Sequence, residues 1–187
     1  MININQELSK LIPNQYDKLN TIAFFGSASS LTNLTSEIYN SQLTGGARNL
    51  NGTQTRAGVK INAGFSGIGS SIQKIKFAMK KGGSPTGNMT YTVRDSSDTI
   101  KAQSGTYDVS TLTGSFVKIE LTLGSVVEIA SGDRVLVEYT GGDGSNKIQM
   151  QDKNTTPETN TQESVYSGSY TDSNRNPHAI FDSSPTI

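Results

Sequence analysis

The sequence predicts an all-β protein, an antiparallel β-sandwich preceded by a short N-terminal arm. Two observations predict it. Along Ile75-Lys76-Phe77-Ala78-Met79-Lys80, Met89-Thr90-Tyr91-Thr92-Val93-Arg94 and Val135-Leu136-Val137-Glu138-Tyr139, large apolar residues recur at every second position, the period of a strand with one face buried. Glycines and polar pairs cut these runs short, and no convincing helical pattern separates them between Ser71 and Thr140.

In chain order, residues 1–46 read as an arm or assembly segment and residues 47–187 as the sandwich. Ile4, Leu8, Leu11, Ile12 and Leu19 lie at helix-compatible spacings, but Pro13 removes an amide donor inside that pattern, so a helical turn or two is expected and a long helix is not. Thr21 to Gly26 is a short apolar strand candidate, followed by a mixed segment from Leu31 to Leu43. Apolar residues in so polar an arm can pack on the chain's own sandwich or on a neighbour's.

Strands are expected at Val59 to Phe65, Ile72 to Lys81 and Asn88 to Asp95, the last two joined as a hairpin by Gly82-Gly83-Ser84-Pro85-Thr86-Gly87. The series continues with Ile100 to Ala102, Thr106 to Val109, Ser115 to Leu123, Val126 to Ile129, Val135 to Thr140, Lys147 to Gln151, Ser164 to Tyr170 and Ala179 to Phe181. Such short, closely punctuated strands are the mark of sandwiches and jelly rolls. In the run from Phe116, Val117, Ile119, Leu121 and Leu123 share one face, leaving Lys118, Glu120 and Thr122 to solvent and the Phe116 ring to cover an edge. Asp152 to Gln162 is Asn/Thr-rich and free of apolar residues, and reads as a mobile loop.

Composition excludes several functions. Sixteen basic residues balance sixteen acidic ones. The only lysine concentration, Lys74, Lys76, Lys80 and Lys81, alternates along a strand as a solvated face does, so nucleic acid is not an expected partner. Charged residues are 17% of the chain, below the usual quarter or so, their place taken by Ser, Thr, Asn, Gln and Gly; such neutral polar surfaces suit the outside of a cell or a virion. With no cysteine, there is no disulfide, thiolate nucleophile or thiolate-held metal. No apolar run is long enough to insert into a membrane, and the chain as written opens without a basic, apolar export signal. Asn33, Asn51, Asn88 and Asn154 begin Asn-X-Ser/Thr triplets, which chance explains in so Asn- and Thr-rich a chain.

The blocks Lys80-Lys-Gly-Gly-Ser-Pro-Thr-Gly-Asn-Met-Thr-Tyr-Thr-Val-Arg-Asp, Tyr107-Asp-Val-Ser-Thr-Leu-Thr-Gly-Ser-Phe and Gly132-Asp-Arg-Val-Leu-Val-Glu-Tyr-Thr-Gly-Gly-Asp-Gly-Ser-Asn resemble the jelly-roll β-sandwich modules of phage and archaeal-virus structural proteins and of microbial surface proteins, related in architecture to carbohydrate-binding modules. The resemblance spans about Ala57 to Phe181 and implies a jelly roll. The quoted blocks are strand and turn positions, so it carries no site residues.

Catalytic chemistry finds little support. The one histidine, His178, follows Pro177, and no Gly-X-Ser-X-Gly elbow is present. Asp95 and Asp98 form a carboxylate pair, but Asp95-Ser-Ser-Asp98 is turn chemistry. The glycines near Gly64, Gly67 and Gly69 lack the following helix and lysine of a phosphate cradle. No cofactor is expected. Calcium is the one metal that oxygen ligands alone can hold, with Asp143 and Asn146 in one loop and Asp172 with Asp182 around another, where plain turns are the competing reading. For a glycan, the densest group is Tyr166, Tyr170, Asn174, Arg175 and His178: ring faces to stack on a sugar and polar groups for its hydroxyls. Tyr166 and Tyr170 also fit one alternating core face of a strand. The expected function is a non-catalytic structural or adhesive module of a virion or cell surface, assembling with copies of itself or other structural subunits through its arm; the alternative is a carbohydrate-binding module.

Overall fold

The computed structural model describes residues 37–41, 44–155 and 158–183, all within one compact unit, 35–187. Among the described residues there is no α-helix. The chain enters sheet I with β1 (Glu37–Ser41) and β2 (Gly46–Leu50), and crosses to sheet II with β3 (Arg56–Ile61). It returns with the twelve-residue β4 (Ser71–Gly82), then crosses again for β5 (Asn88–Arg94), β6 (Ile100–Gln103) and the short β7 (Tyr107–Asp108). After one 3-10 turn, β8 (Val117–Glu128) lies in sheet I, β9 (Arg134–Glu138) in sheet II and β10 (Lys147–Lys153) in sheet I. β11 (Thr161–Tyr166) and β12 (Tyr170–Ser173) extend sheet II, and β13 (Asn176–Pro177) with β14 (Ala179–Ser183) completes sheet I. All pairings are antiparallel, and the fold is a two-sheet β-sandwich whose chain shuttles repeatedly between layers.

Sheet I is built around β4. β8 lies along one side, while the other side is shared end to end by β14, opposite Ile72 to Phe77, and β10, opposite Met79 to Gly82. β1 then pairs with β14, and β2 with β10. Sheet II runs β12-β11-β3-β9-β5-β6.

Alternation along these strands produces the core. Phe77, Val93 and Val137 meet in one buried cluster with half-buried Ile119 packed against it. Phe77 of sheet I meets Tyr91 of sheet II edge-on, with centroids 5.2 Å apart, and Tyr39 of β1 stacks on Phe181 of β14 at 4.7 Å. Each buried phenol finds an acceptor, Tyr91 at the Ile119 carbonyl (3.1 Å), Tyr39 at Asn176 Oδ1 (3.0 Å) and Tyr139 at the Thr86 carbonyl (2.9 Å), which removes the penalty of burying a bare hydroxyl.

Several strand expectations need correcting. β4 and β5 do not form a hairpin: they lie in opposite sheets, and residues 83–87 cross between them. Glycine and proline specify a reversal, but β4 has both sides taken by β8, β14 and β10, so the chain can pair again only in the other layer. The stretch from Ser164 to Tyr170 is two strands, broken where Gly168 takes φ +89° and Ser167 N–H donates to the Ser169 carbonyl (3.1 Å). The expected breaks at Gly124 and Ser125 are absent, since β8 is continuous. Asp152 belongs to no loop: β10 runs through it to Lys153, and it is fully buried. The strand expected at Val59 to Phe65 is preceded by β1 and β2 and is shifted to Arg56–Ile61, because Asn62 to Phe65 forms a turn closed by Phe65 N–H on the Asn62 carbonyl (3.2 Å). β1 falls within the segment assigned to the arm and β2 begins at its last residue, Gly46, while the helical turns, the strand candidate at Thr21 and the Asn33 triplet lie outside the described residues.

Candidate functional site

Glycan-candidate residues fall into four places. Tyr166 and Tyr170 are cross-strand partners on the outer face of sheet II, in neither the core nor one strand. Their rings meet edge-on at 4.9 Å. Register continues their row through Arg56 to Glu138, and the next rows carry Asp172, Ser164, Gly58, Leu136 and Thr92, then Gln162, Lys60, Arg134 and Arg94. The Arg56 guanidinium lies 4.3 Å over the Tyr166 ring and that of Arg134 lies 4.1 Å over Tyr170, stacking that suits a planar delocalised cation.

Asp98 closes this face. At φ +66° in the tight β5–β6 turn, its carboxylate reaches back to accept from Tyr170 Oη (2.6 Å) and Arg56 Nη1 (2.9 Å). Burial pushes this carboxyl up, but bonds from Tyr170 and Arg56 outweigh it and hold it below the usual range. Burial and the Asp98 bond together push the Tyr170 phenol up to about 12. Arg94 donates to Glu138 (2.5 Å) and Lys60 to Asp172 (2.6 Å). Beneath this layer Leu136 is fully buried although it points away from the core. Gly58 makes room: a Cβ there would sit 2.1 Å from the Val135 carbonyl oxygen.

Arg175 lies between the sheets. Asp152 continues the inward row of Ile148 and Met150 on β10, and Glu163 faces inward from β11. Both carboxylates have 0% side-chain exposure. Arg48 donates to both Glu163 oxygens, through Nε at 2.8 Å. Arg175 grips Asp152 bidentately, Nη2 to Oδ1 at 2.7 Å, and Ser173 Oγ donates to Glu163 (2.8 Å). Two cations thus neutralise two buried anions, each arginine side chain about a quarter exposed (27% and 25%), and the cluster ties β2, β10 and β11 together across the layers. Gly46 is required beside it, since a Cβ would lie 2.7 Å from both Arg175 Nη2 and Asp152 Oδ1. Sequence reading missed Arg48, Asp152 and Glu163; the available signal was their alternation in phase with Leu50, Met150 and Val165.

His178 sits at the fork where β10 leaves β4 and β14 replaces it. Its backbone N–H donates to Gln151 O (2.9 Å) and its carbonyl accepts from Ala78 N–H (3.1 Å). Nδ1 lies 3.2 Å from Gln151 Oε1, while Nε2 is buried without a partner. Burial, then the charge of Lys118, pushes this imidazole below its ordinary range, so the neutral form is favoured.

Asn174 is exposed and lines an open groove of about 600 Å³ with Asn62, Glu158, Asn160 and Gln162. The calcium candidates are dispersed. Asp143 Oδ1 accepts from the backbone N–H of Ser145 and Asn146 (both 2.7 Å), an Asx turn that holds its carboxyl below the usual range, while Asn146 Oδ1 accepts from Ser84 N–H (3.0 Å). Asp172 is engaged by Lys60 and Ser164, and Asp182 by Lys76 (2.7 Å). Among the described residues no three His, Asp or Glu are grouped as a metal site. Asp95 likewise accepts from the N–H groups of Ser97 and Thr99. Outside sheet I, Lys74 and Lys76 pair with Glu120, and Lys80 covers the Phe116 ring at 4.6 Å.

No protein-family model, curated protein or solved structure matches the chain.

Proposed function

We propose that the chain is a non-catalytic structural or adhesive β-sandwich module of a virion or cell surface, and that its N-terminal arm supplies an assembly segment through which copies of it associate. One observation carries the reading: strongly polar side chains here join strand to strand. Arg48 and Arg175 hold Glu163 and Asp152, Arg56 and Arg94 hold Asp98 and Glu138, Lys101 holds Asp133 at 2.6 Å, and Lys76 holds Asp182. Acid–base or nucleophilic work needs a group poised for exchange, whereas a scaffold needs pairing of this kind. The charge-neutral, Ser/Thr/Asn-rich composition and the resemblance to jelly-roll modules of virion and surface proteins support the setting, and the apolar residues Ile4, Leu8, Leu11, Ile12 and Leu19 support assembly.

Size-exclusion chromatography with light scattering tests it, on the full chain and on a chain beginning at Thr35. A start near Gly46 would delete β1 and strip Tyr39 from Phe181, confusing unfolding with disassembly. An oligomer that becomes monomeric on truncation is expected; a monomer in both cases refutes the assembly role. A second reading, glycan recognition, is favoured by the amide-lined groove at Asn174.

A further inference from the structure

The groove at Asn174 occupies the end of the sandwich where the turn after β3, the residues entering β11 and the β12–β13 connection meet. Its rim is built from neutral polar groups with a single carboxylate: the amides of Asn62, Asn160, Gln162 and Asn174, the Thr159 hydroxyl and Glu158, with no lysine or arginine among the lining residues. The base of the groove is fixed. Asn62 N–H donates to the Asn160 carbonyl (2.9 Å), Asn160 is held at φ +60° with Nδ2 on the Gly64 carbonyl (2.9 Å), and Thr161 Oγ1 donates to the Glu158 carbonyl (2.8 Å). Asn62 Nδ2 donates to Gln162 Oε1 (3.3 Å), which ties these two lining amides together and leaves the side-chain oxygen of Asn62 and the N–H groups of Gln162 outside that bond. Among the described residues, the Asn174 amide and the Thr159 hydroxyl make no hydrogen bond.

An amide presents a donor and an acceptor side by side, the complement of two vicinal hydroxyls. Amides lining one groove on a rigid base, that of Asn174 without a hydrogen bond among the described residues and those of Asn62 and Gln162 each using only part of their capacity on the other, therefore fit a polyhydroxylated ligand, and Glu158 adds a charge-assisted acceptor for a sugar O–H. Glu158, the one charged residue among the described lining residues, also disfavours anionic groups. Glu158 and Thr159 also line a second cavity of about 230 Å³, shared with Ile38, Asn40 and Ser66 and closed by the buried rings of Tyr39 and Phe65. We propose that this groove is a binding site for a neutral oligosaccharide, with Asn62, Gln162, Asn174 and Glu158 as its hydrogen-bonding groups. The inference rests on the adhesive part of the function proposed above and is independent of the assembly part.

The test uses the full chain on an array of neutral gluco-, manno-, galacto-, xylo- and chito-oligosaccharides alongside sialylated and sulfated glycans, with affinities of any hit measured by calorimetry. Binding to at least one neutral oligosaccharide and to no acidic glycan is expected. Replacing Asn174→Ala together with Gln162→Ala is expected to weaken it at least tenfold, Glu158→Gln to weaken it several-fold, and Tyr166→Ala, on the outer face of sheet II, to leave it within twofold. The melting temperature of each variant confirms that it is folded. Silence across the neutral glycans, selective binding of acidic ones, or binding that survives the double substitution overturns the proposal. A monomeric full chain that still binds a neutral glycan refutes assembly alone.

Discussion

Replacing Arg48→Met removes the cation that neutralises a carboxylate with no exposed side-chain surface. Glu163 would lose the Nε bond at 2.8 Å and its shorter Nη2 partner, keeping Ser173 Oγ at 2.8 Å and Arg175 Nε at 3.9 Å. Stranding one member of a buried pair costs about 3–5 kcal/mol. Arg48 is 27% exposed and Glu163 retains two partners, so the lower end, about 3 kcal/mol, is expected. For a chain of this size that lowers the melting temperature by about 6–12 °C. Urea titration of the variant, of Glu163→Met and of the double variant closes a thermodynamic cycle. The double variant is expected to be more stable than either single one, because an apolar pair replaces an ion pair whose desolvation is costly. A cost below about 1 kcal/mol for Arg48→Met, or a double variant no better than the singles, would refute the view that this cluster is a desolvated sheet-to-sheet tie.

Three further outcomes are expected. Gly58→Ala puts a methyl group 2.1 Å from a carbonyl of central strand β9, where backbone cannot rotate away, so a loss of about 3 kcal/mol is expected in denaturant titrations; a near-neutral result would show that β3 and β9 are not so closely apposed. Asp98→Ala loses the bonds to Arg56 and Tyr170 and places a β-carbon at φ +66°, so it should be about 1 kcal/mol less stable than Asp98→Gly, which loses the same bonds without the strain. Equal stabilities would contradict the left-handed turn. The lowered His178 pKa means the folded state favours neutral imidazole. Its contribution is present above the unfolded value of about 6.5 and declines as pH falls below it. The fall in melting temperature between pH 7 and 5.5 should be shallower in His178→Gln; identical slopes would refute it.

Side-chain alternation made β4, β5, β9 and β10 legible, because Phe77, Tyr91, Val137 and Met150 mark the buried face residue by residue. Pairing was not legible. Nothing local in Gly82 to Gly87 distinguishes a hairpin from a crossing between layers, since that depends on whether β4 has a free side. The tyrosine pair misled for a related reason: Tyr166 and Tyr170 are four residues apart, which fits one face of a strand, and only the φ +89° turn at Gly168 makes them cross-strand neighbours. The interior charge cluster was illegible because charged residues in alternating runs are ordinarily assigned outward, and Asp152 looked like the start of a polar loop. Of the glycan candidates, Asn174 alone lines the groove, whose other amides come from residues distant in sequence that the fold brings together.

The fold is defined by two sheets that close with β4 and β5 on opposite layers and β14 wedged between β1 and β4. Nuclear Overhauser contacts in the isotope-labelled chain measure this directly. Cross-peaks are expected between the rings of Phe77 and Tyr91 and of Tyr39 and Phe181, and between the backbones of Phe77 and Ala179. Backbone contacts pairing β4 with β5 as a hairpin, in place of these, would contradict it.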